Sequence, residues 1–142
     1  MSFVLDSSVA LAWCFEDEQT EDTQALLQRV IDAGAVVPVL WPLEVLNALA
    51  MAERRKRVNR DTRCRLAGLL RDLPIELNLE SAMAAWDDTA QLAERHQLTL
   101  YDASYLELAR RLKLPLGTLD RALRNAARAN HVPLLGKEER KQ

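Results

Sequence analysis

The sequence predicts an α/β domain in which helices sandwich a mostly parallel sheet. Two observations carry this. Short apolar, β-branched runs alternate with longer segments whose apolar residues fall at helical spacing, the rhythm of successive strand–helix–strand units. The chain also has 142 residues, 49% apolar and 28% charged, the size and usage of one globular domain with a core of its own.

The elements follow in order. Residues 2–5 are a short apolar run ending at Asp6, a first strand, and 9–15 read as a short helix. A second helix spans 20–33, with Ala25, Leu26, Val30 and Ala33 on one stripe, and Gly34 is suited to stop it. The β-branched run 35–39 is a second strand. A helix over 41–57 follows, with Pro42 in its first turn, where a missing N–H does no harm. Leu43, Leu46, Leu49 and Ala50 form its stripe. A helix over 59–70 is closed by Pro74, and 75–77 reads as a third strand. Helices over 80–96 and 102–112 come next, the latter with Tyr105, Leu106, Ala109 and Leu112 on one face. A strand at 116–119, a helix at 120–129 and a last strand at 132–135 complete one domain over 1–136, and 137–142 form a short charged tail.

Composition excludes several classes. Four glycines with no P-loop and no GxGxxG exclude a glycine-rich phosphate cradle. Cys14 and Cys64 allow at most one bridge and read as small buried hydrophobes. His96 and His131 have no zinc spacing, and there is no GxSxG. No apolar run approaches the roughly 20 residues of a membrane helix, and residues 1–6 lack the basic start of a signal peptide. The expected location is the cytoplasm. Net charge is −2, which does not describe a strongly basic nucleic-acid binder. Charge is nevertheless uneven. Residues 16–22 hold five acids and no base, whereas 53–71 hold eight bases against two acids.

Four acids recur where a strand, or the loop after it, feeds a helix. Asp6 follows the first strand, Glu44 lies in the first turn of the 41–57 helix, Asp102 opens the 102–112 helix, and Asp120 follows the 116–119 strand. Each has a local reading as a helix cap or a complement to the helix dipole. As a group they have another. The carboxyl ends of parallel strands line one edge of a sheet, where ligands bind, and adjacent strands would bring all four into one cleft.

The strings Val4-Leu5-Asp6-Ser7-Ser8, Pro42-Leu43-Glu44-Val45-Leu46-Asn47, Leu100-Tyr101-Asp102-Ala103-Ser104-Tyr105 and Gly117-Thr118-Leu119-Asp120 stand in that order. Together they resemble the PIN-domain ribonucleases, and within them the VapC toxins of toxin–antitoxin pairs. The resemblance implies a three-layer α/β/α fold and an endoribonuclease using Mg²⁺, or Mn²⁺ in its place. It implies Asp6, Glu44, Asp102 and Asp120 as the acidic cluster, with Ser8, Asn47 and Thr118 in support. It further implies a homodimer, a tRNA or ribosomal RNA target, and a VapB-like antitoxin through which alone the chain meets operator DNA. The chemistry is coherent. Hard cations take oxygen ligands, and carboxylates crowded without a cation repel one another.

Of the four acids, Asp6 and Asp102 are the expected direct ligands. Ser8 and Thr118 have an equal reading as turn or cap residues. Arg54, Arg55, Lys56 and Arg57 are read either as a solvated helix end or as a rim for RNA phosphates. Arg110, Arg111, Lys113, Arg121, Arg124 and Arg128 form a second basic set. The rival functions are an RNA-processing nuclease of the same fold without an antitoxin, and a module that binds RNA or protein without cutting.

Overall fold

The computed structural model describes residues 2–136; Met1 and the tail at 137–142 lie outside the described residues. Five strands, β1 (Val4–Leu5), β2 (Ala35–Pro38), β3 (Ile75–Asn78), β4 (Leu116–Gly117) and β5 (Leu134–Leu135), form one sheet in the order β3-β2-β1-β4-β5. Every pairing is parallel, with Val4 opposite Val36 and Leu116, and Leu5 opposite Gly117.

The chain works outward from β1 to β3, then returns across the sheet to β4 and β5. Right-handed crossovers therefore divide the helices between two layers. One layer holds α1 (Ser7–Cys14), α2 (Glu21–Ala33), α3 (Trp41–Arg54) and α4 (Arg60–Arg71). The other holds α5 (Ser81–Ala84), α6 (Ala90–His96), α7 (Leu100–Leu112) and α8 (Arg121–Ala129). This is the three-layer α/β/α architecture expected. The wholly buried Phe3, Val4, Leu5, Leu106, Leu108, Leu116 and Leu123 fill its centre.

Local chemistry sets most boundaries. Thr20 and Thr23 cap α2 reciprocally, and Gly34 ends it with φ +77°. Asn59 Oδ1 caps α4 by accepting from Thr62 N at 2.8 Å. Gly117 is required by packing, since a Cβ there would sit 2.8 Å from the Phe3 ring.

Three boundaries differ from expectation in ways that matter. The helix from Trp41 ends at Arg54, not 57. Lys56 turns left-handed at φ 61°, and Arg57 N bonds Ala52 O, which closes the helix as a Schellman turn. The helix carrying Asp102 begins at Leu100 and is capped by Thr99, whose hydroxyl accepts from Asp102 N at 3.0 Å. The fourth strand stops at Gly117, so Thr118 and Leu119 turn away into the edge loop. The expected helix at 80–96 is present as α5 and α6 joined through a π turn, Ala85–Thr89.

Candidate active site

The direction of the strand order reverses between β1 and β4, which makes their carboxyl ends the switch point where open α/β sheets bind ligands. Asp6 and Thr118 each follow directly on one of these two strands. The Asp6 amide donates to Gly117 O at 3.0 Å, which fixes the two loops to each other.

Asp6 stands at the N-cap position of α1 yet makes no capping hydrogen bond. Its Oδ2 instead accepts from Ser8 Oγ at 2.6 Å and from Thr118 Oγ1 at 2.7 Å. Ser8 Oγ in turn accepts from Leu119 N at 3.0 Å, and Thr118 Oγ1 from Asp120 N at 3.1 Å. Both hydroxyls therefore have their protons directed at Asp6, and Oδ1 is left without a hydrogen bond among the described residues. Asp6 is buried, and its carboxyl is pushed up to about 6. Burial is the main cause. The two hydroxyls oppose it, and the charges of Glu44 and Asp120 add to it.

Asp102 has the same shift, to about 6, from burial and then from the charges of Asp6, Asp120 and Glu44. Asp6 thus feels Glu44 and Asp120, and Asp102 feels all three of the others, which places the four in one electrostatic neighbourhood. The capping reading fails for Asp6 and for Asp102, whose helix Thr99 caps. It holds for Asp120, whose Oδ2 accepts from Leu123 N at 2.8 Å at the start of α8. Glu44, in the first turn of α3, accepts at Oε1 from the Tyr105 hydroxyl at 2.5 Å. Four helices, α1, α3, α7 and α8, begin at this edge, and their positive N-terminal dipoles offset part of the repulsion.

The donors are all oxygen, which suits a hard cation. Among the described residues no three His, Cys, Asp or Glu side chains stand close enough to form a ready metal shell. Mg²⁺ needs no such shell, because it keeps several waters and takes one or two carboxylates. The residues present therefore fit a hydrated Mg²⁺ or Mn²⁺.

The supporting residues divide. Ser8 and Thr118 are joined to Asp6 as expected. Asn47 is exposed one turn beyond Glu44 and makes no hydrogen bond among the described residues. Two residues of the second basic set are structural. Arg124 is buried and donates to Thr118 O at 2.8 Å, holding a site residue's backbone. Arg111 pairs with the buried Glu107 and reaches Asn78 at the end of β3. Arg57 is tied to Asp17 and Glu18 at 2.7 and 2.8 Å and lies 3.9 Å over the Phe15 ring. Arg54, Arg55 and Lys56 are exposed with no ion pair among the described residues, about 15 Å along α3 from Glu44. Cys64 is exposed, not buried, because it faces an apolar groove of about 570 Å³ between α3, α4 and β3 that contains none of the four acids. No helix among the described residues is long and apolar enough to cross a membrane.

Sequence reasoning missed Tyr105, read only as part of an apolar face, and read Arg124 as one of the second basic set rather than as a buried support for Thr118. A tyrosine on a buried helical stripe was itself a signal, since its hydroxyl requires a partner.

Over 123 residues, 87% of this chain and 92% of the relative, the sequence is 28% identical to Ribonuclease VapC3 of Pyrobaculum aerophilum. Among solved structures, PAE2754 of Pyrobaculum aerophilum superposes with a TM-score of 0.67 at 23% identity, over 89% of this chain and 84% of that one. VapBC2 of Rickettsia felis, bound to a DNA fragment from their promoter, gives a TM-score of 0.67 at 9% identity, over 98% and 100%. These structures share the fold. The PIN domain family matches residues 3–129, a span that takes in all four acids and both hydroxyls at Asp6. The sheet order, the switch-point carboxylates and this match agree, and the chain belongs to the PIN-domain family.

Proposed function

We propose that the chain is a metal-dependent endoribonuclease acting as the toxin of a toxin–antitoxin pair. The observation that carries this reading is Asp6, a buried carboxylate at the switch point, held by two hydroxyls through one oxygen and sharing its surroundings with three more acids. A fold gains nothing from that crowding, whereas metal-dependent phosphodiester hydrolysis uses it.

Asp6 and Asp102 would hold Mg²⁺ or Mn²⁺, with Glu44 and Asp120 serving a second ion or orienting the attacking water. The bound ion would lower the pKa of water and neutralise charge on the phosphate. Ser8 and Thr118 keep Asp6 oriented, and Arg124 keeps Thr118 in place. Arg54, Arg55 and Lys56 would bind phosphates of an RNA running along α3, while Arg57 stays with its acidic partners.

The names of VapC3, a ribonuclease, and of VapBC2, bound to promoter DNA, support a VapB-like antitoxin and DNA contact through it. A second copy of this chain would cover the exposed apolar residues near the start of α3. Leu43 is 74% exposed there. Leu79 and Met83, 73% and 71% exposed, flank Ser81, whose hydroxyl accepts from Val39 N beside α3.

The test is cleavage of total tRNA by purified protein with Mg²⁺. Asp6→Asn and Asp102→Asn should each stay folded and lose cleavage at least a hundredfold. Wild-type rates in both variants would overturn the assignment. A short reading frame directly upstream would separate the toxin from an RNA-processing nuclease of the same fold.

A further inference from the structure

Tyr105 is wholly buried on α7, where a phenylalanine would fill the same space without needing a hydrogen-bond partner. Its hydroxyl joins the two helical layers. It donates to Glu44 Oε1 on α3 at 2.5 Å. This bond ties α7 to α3 at the edge of the cleft. Asp102 lies three residues before Tyr105 on the same side of α7. One helix thus presents a carboxylate of its own and grips a second one on another helix.

Glu44 needs such a grip more than Asp6 or Asp120 does. It has the longest side chain of the four. Asp6 is fixed by Ser8 and Thr118, and Asp120 by Leu123 N, whereas the phenol is the only hydrogen-bond partner of the Glu44 carboxylate among the described residues. Glu44 Oε2 has no hydrogen bond among them.

We propose that Tyr105 is a positioning residue of this site, holding Glu44 by one oxygen so that the other stays available to the cation. The proposal rests on the metal-dependent reading above. Groups that orient a metal ligand from behind generally change affinity or activity 10- to 100-fold when removed.

The experiment titrates Mn²⁺ into the full chain by calorimetry for wild type, Tyr105→Phe, Glu44→Gln and the double variant. RNA cleavage is measured alongside at several substrate concentrations. Tyr105→Phe should bind Mn²⁺ about 10-fold or more weakly and lose kcat, with KM for RNA nearly unchanged. In the Glu44→Gln background it should add nothing. Equal losses in both backgrounds would assign the effect to packing and overturn the proposal, as would a Tyr105→Phe chain that binds Mn²⁺ like wild type. Glu44→Asp probes the same hydrogen bond without touching the core. It keeps the charge but withdraws it from the phenol by one methylene, so undiminished Mn²⁺ binding there also overturns the proposal. A wild type that binds no Mn²⁺ overturns the metal reading and this proposal together, an outcome distinct from the others.

Discussion

Asp6 concentrates the physical conflict of this protein in one side chain. It is buried, hydrogen-bonded and close to other acids, and its carboxyl lies at about 6 where an unfolded chain would have it near 4. The sign follows. Between about pH 4 and pH 6 the unfolded chain releases this proton before the folded one does, so stability falls as pH rises through that window and levels off above it. A shift of about two pKa units corresponds to a penalty on the order of 3 kcal/mol at neutral pH. Asp6→Asn keeps an oxygen for both hydroxyls and carries no charge. In EDTA it should melt above wild type at pH 7, and the gap should shrink toward pH 4.5, as measured by thermal unfolding at both pH values. Millimolar Mg²⁺ should narrow the gap at pH 7 by stabilising wild type through binding. Identical melting at pH 7 with and without metal would mean that Asp6 carries no such penalty. This residue was legible only from Val4-Leu5-Asp6 taken with the other three acidic strings, since alone it reads as a helix cap. Its hydroxyl partners were legible as Ser8 and Thr118, but with a second reading as turn residues that only their geometry removes.

At the scale of elements, the strand and helix order was readable because buried strands are short apolar runs and the helices carry clean stripes. The ends were less readable, because they are set by hydrogen bonds rather than by pattern. Thr99 caps α7 where Asp102 was expected to open it, and this leaves the Asp102 carboxylate free of capping. Thr99→Ala should destabilise the chain by about 1 kcal/mol, the usual cost of removing an N-cap, measured by urea unfolding. The turn after α3 shows the same limit. Its four bases look alike in sequence, yet Arg57 is paired with acids some 40 residues away, which no local pattern reveals. Replacing Arg54, Arg55 and Lys56 with Gln in an Asp102→Asn background should flatten the salt dependence of RNA binding. The log–log slope should fall by roughly 0.7 to 0.9 for each RNA phosphate that a base no longer neutralises, with little change in melting. Arg57→Gln should do the reverse, lowering stability modestly and leaving the slope unchanged, since its ion pairs are solvent-exposed. An unchanged slope in the triple variant would make Arg54, Arg55 and Lys56 a solvated turn.

The whole molecule is asymmetric in what it exposes. The sheet is covered on both faces, yet Leu43, Leu79, Met83 and Trp86 stay in solvent, Trp86 at 80% exposure. Pattern alone could not single them out, because an apolar residue on a helical stripe reads the same whether its own core or a second copy covers it. If two copies meet here, Leu43→Glu with Met83→Glu should convert a dimer to a folded monomer in sedimentation, with unchanged melting at low concentration. A wild type that sediments as a monomer at micromolar concentration would exclude the arrangement.

The amide that anchors Asp6 to Gly117 has a further consequence, best expressed in hydrogen exchange. It joins the two innermost strands at a buried position, with Phe3 packed against Gly117 beneath it. Such a proton is expected to exchange through global unfolding, with a protection equal to the global free energy of unfolding, and a lower protection would reveal a partial opening of the centre. With global protection there, no partial opening would separate Asp6 from Thr118 while the rest of the fold persists. Protection at that level would mean that the centre loosens only by unfolding, so that its restraint would come from another molecule.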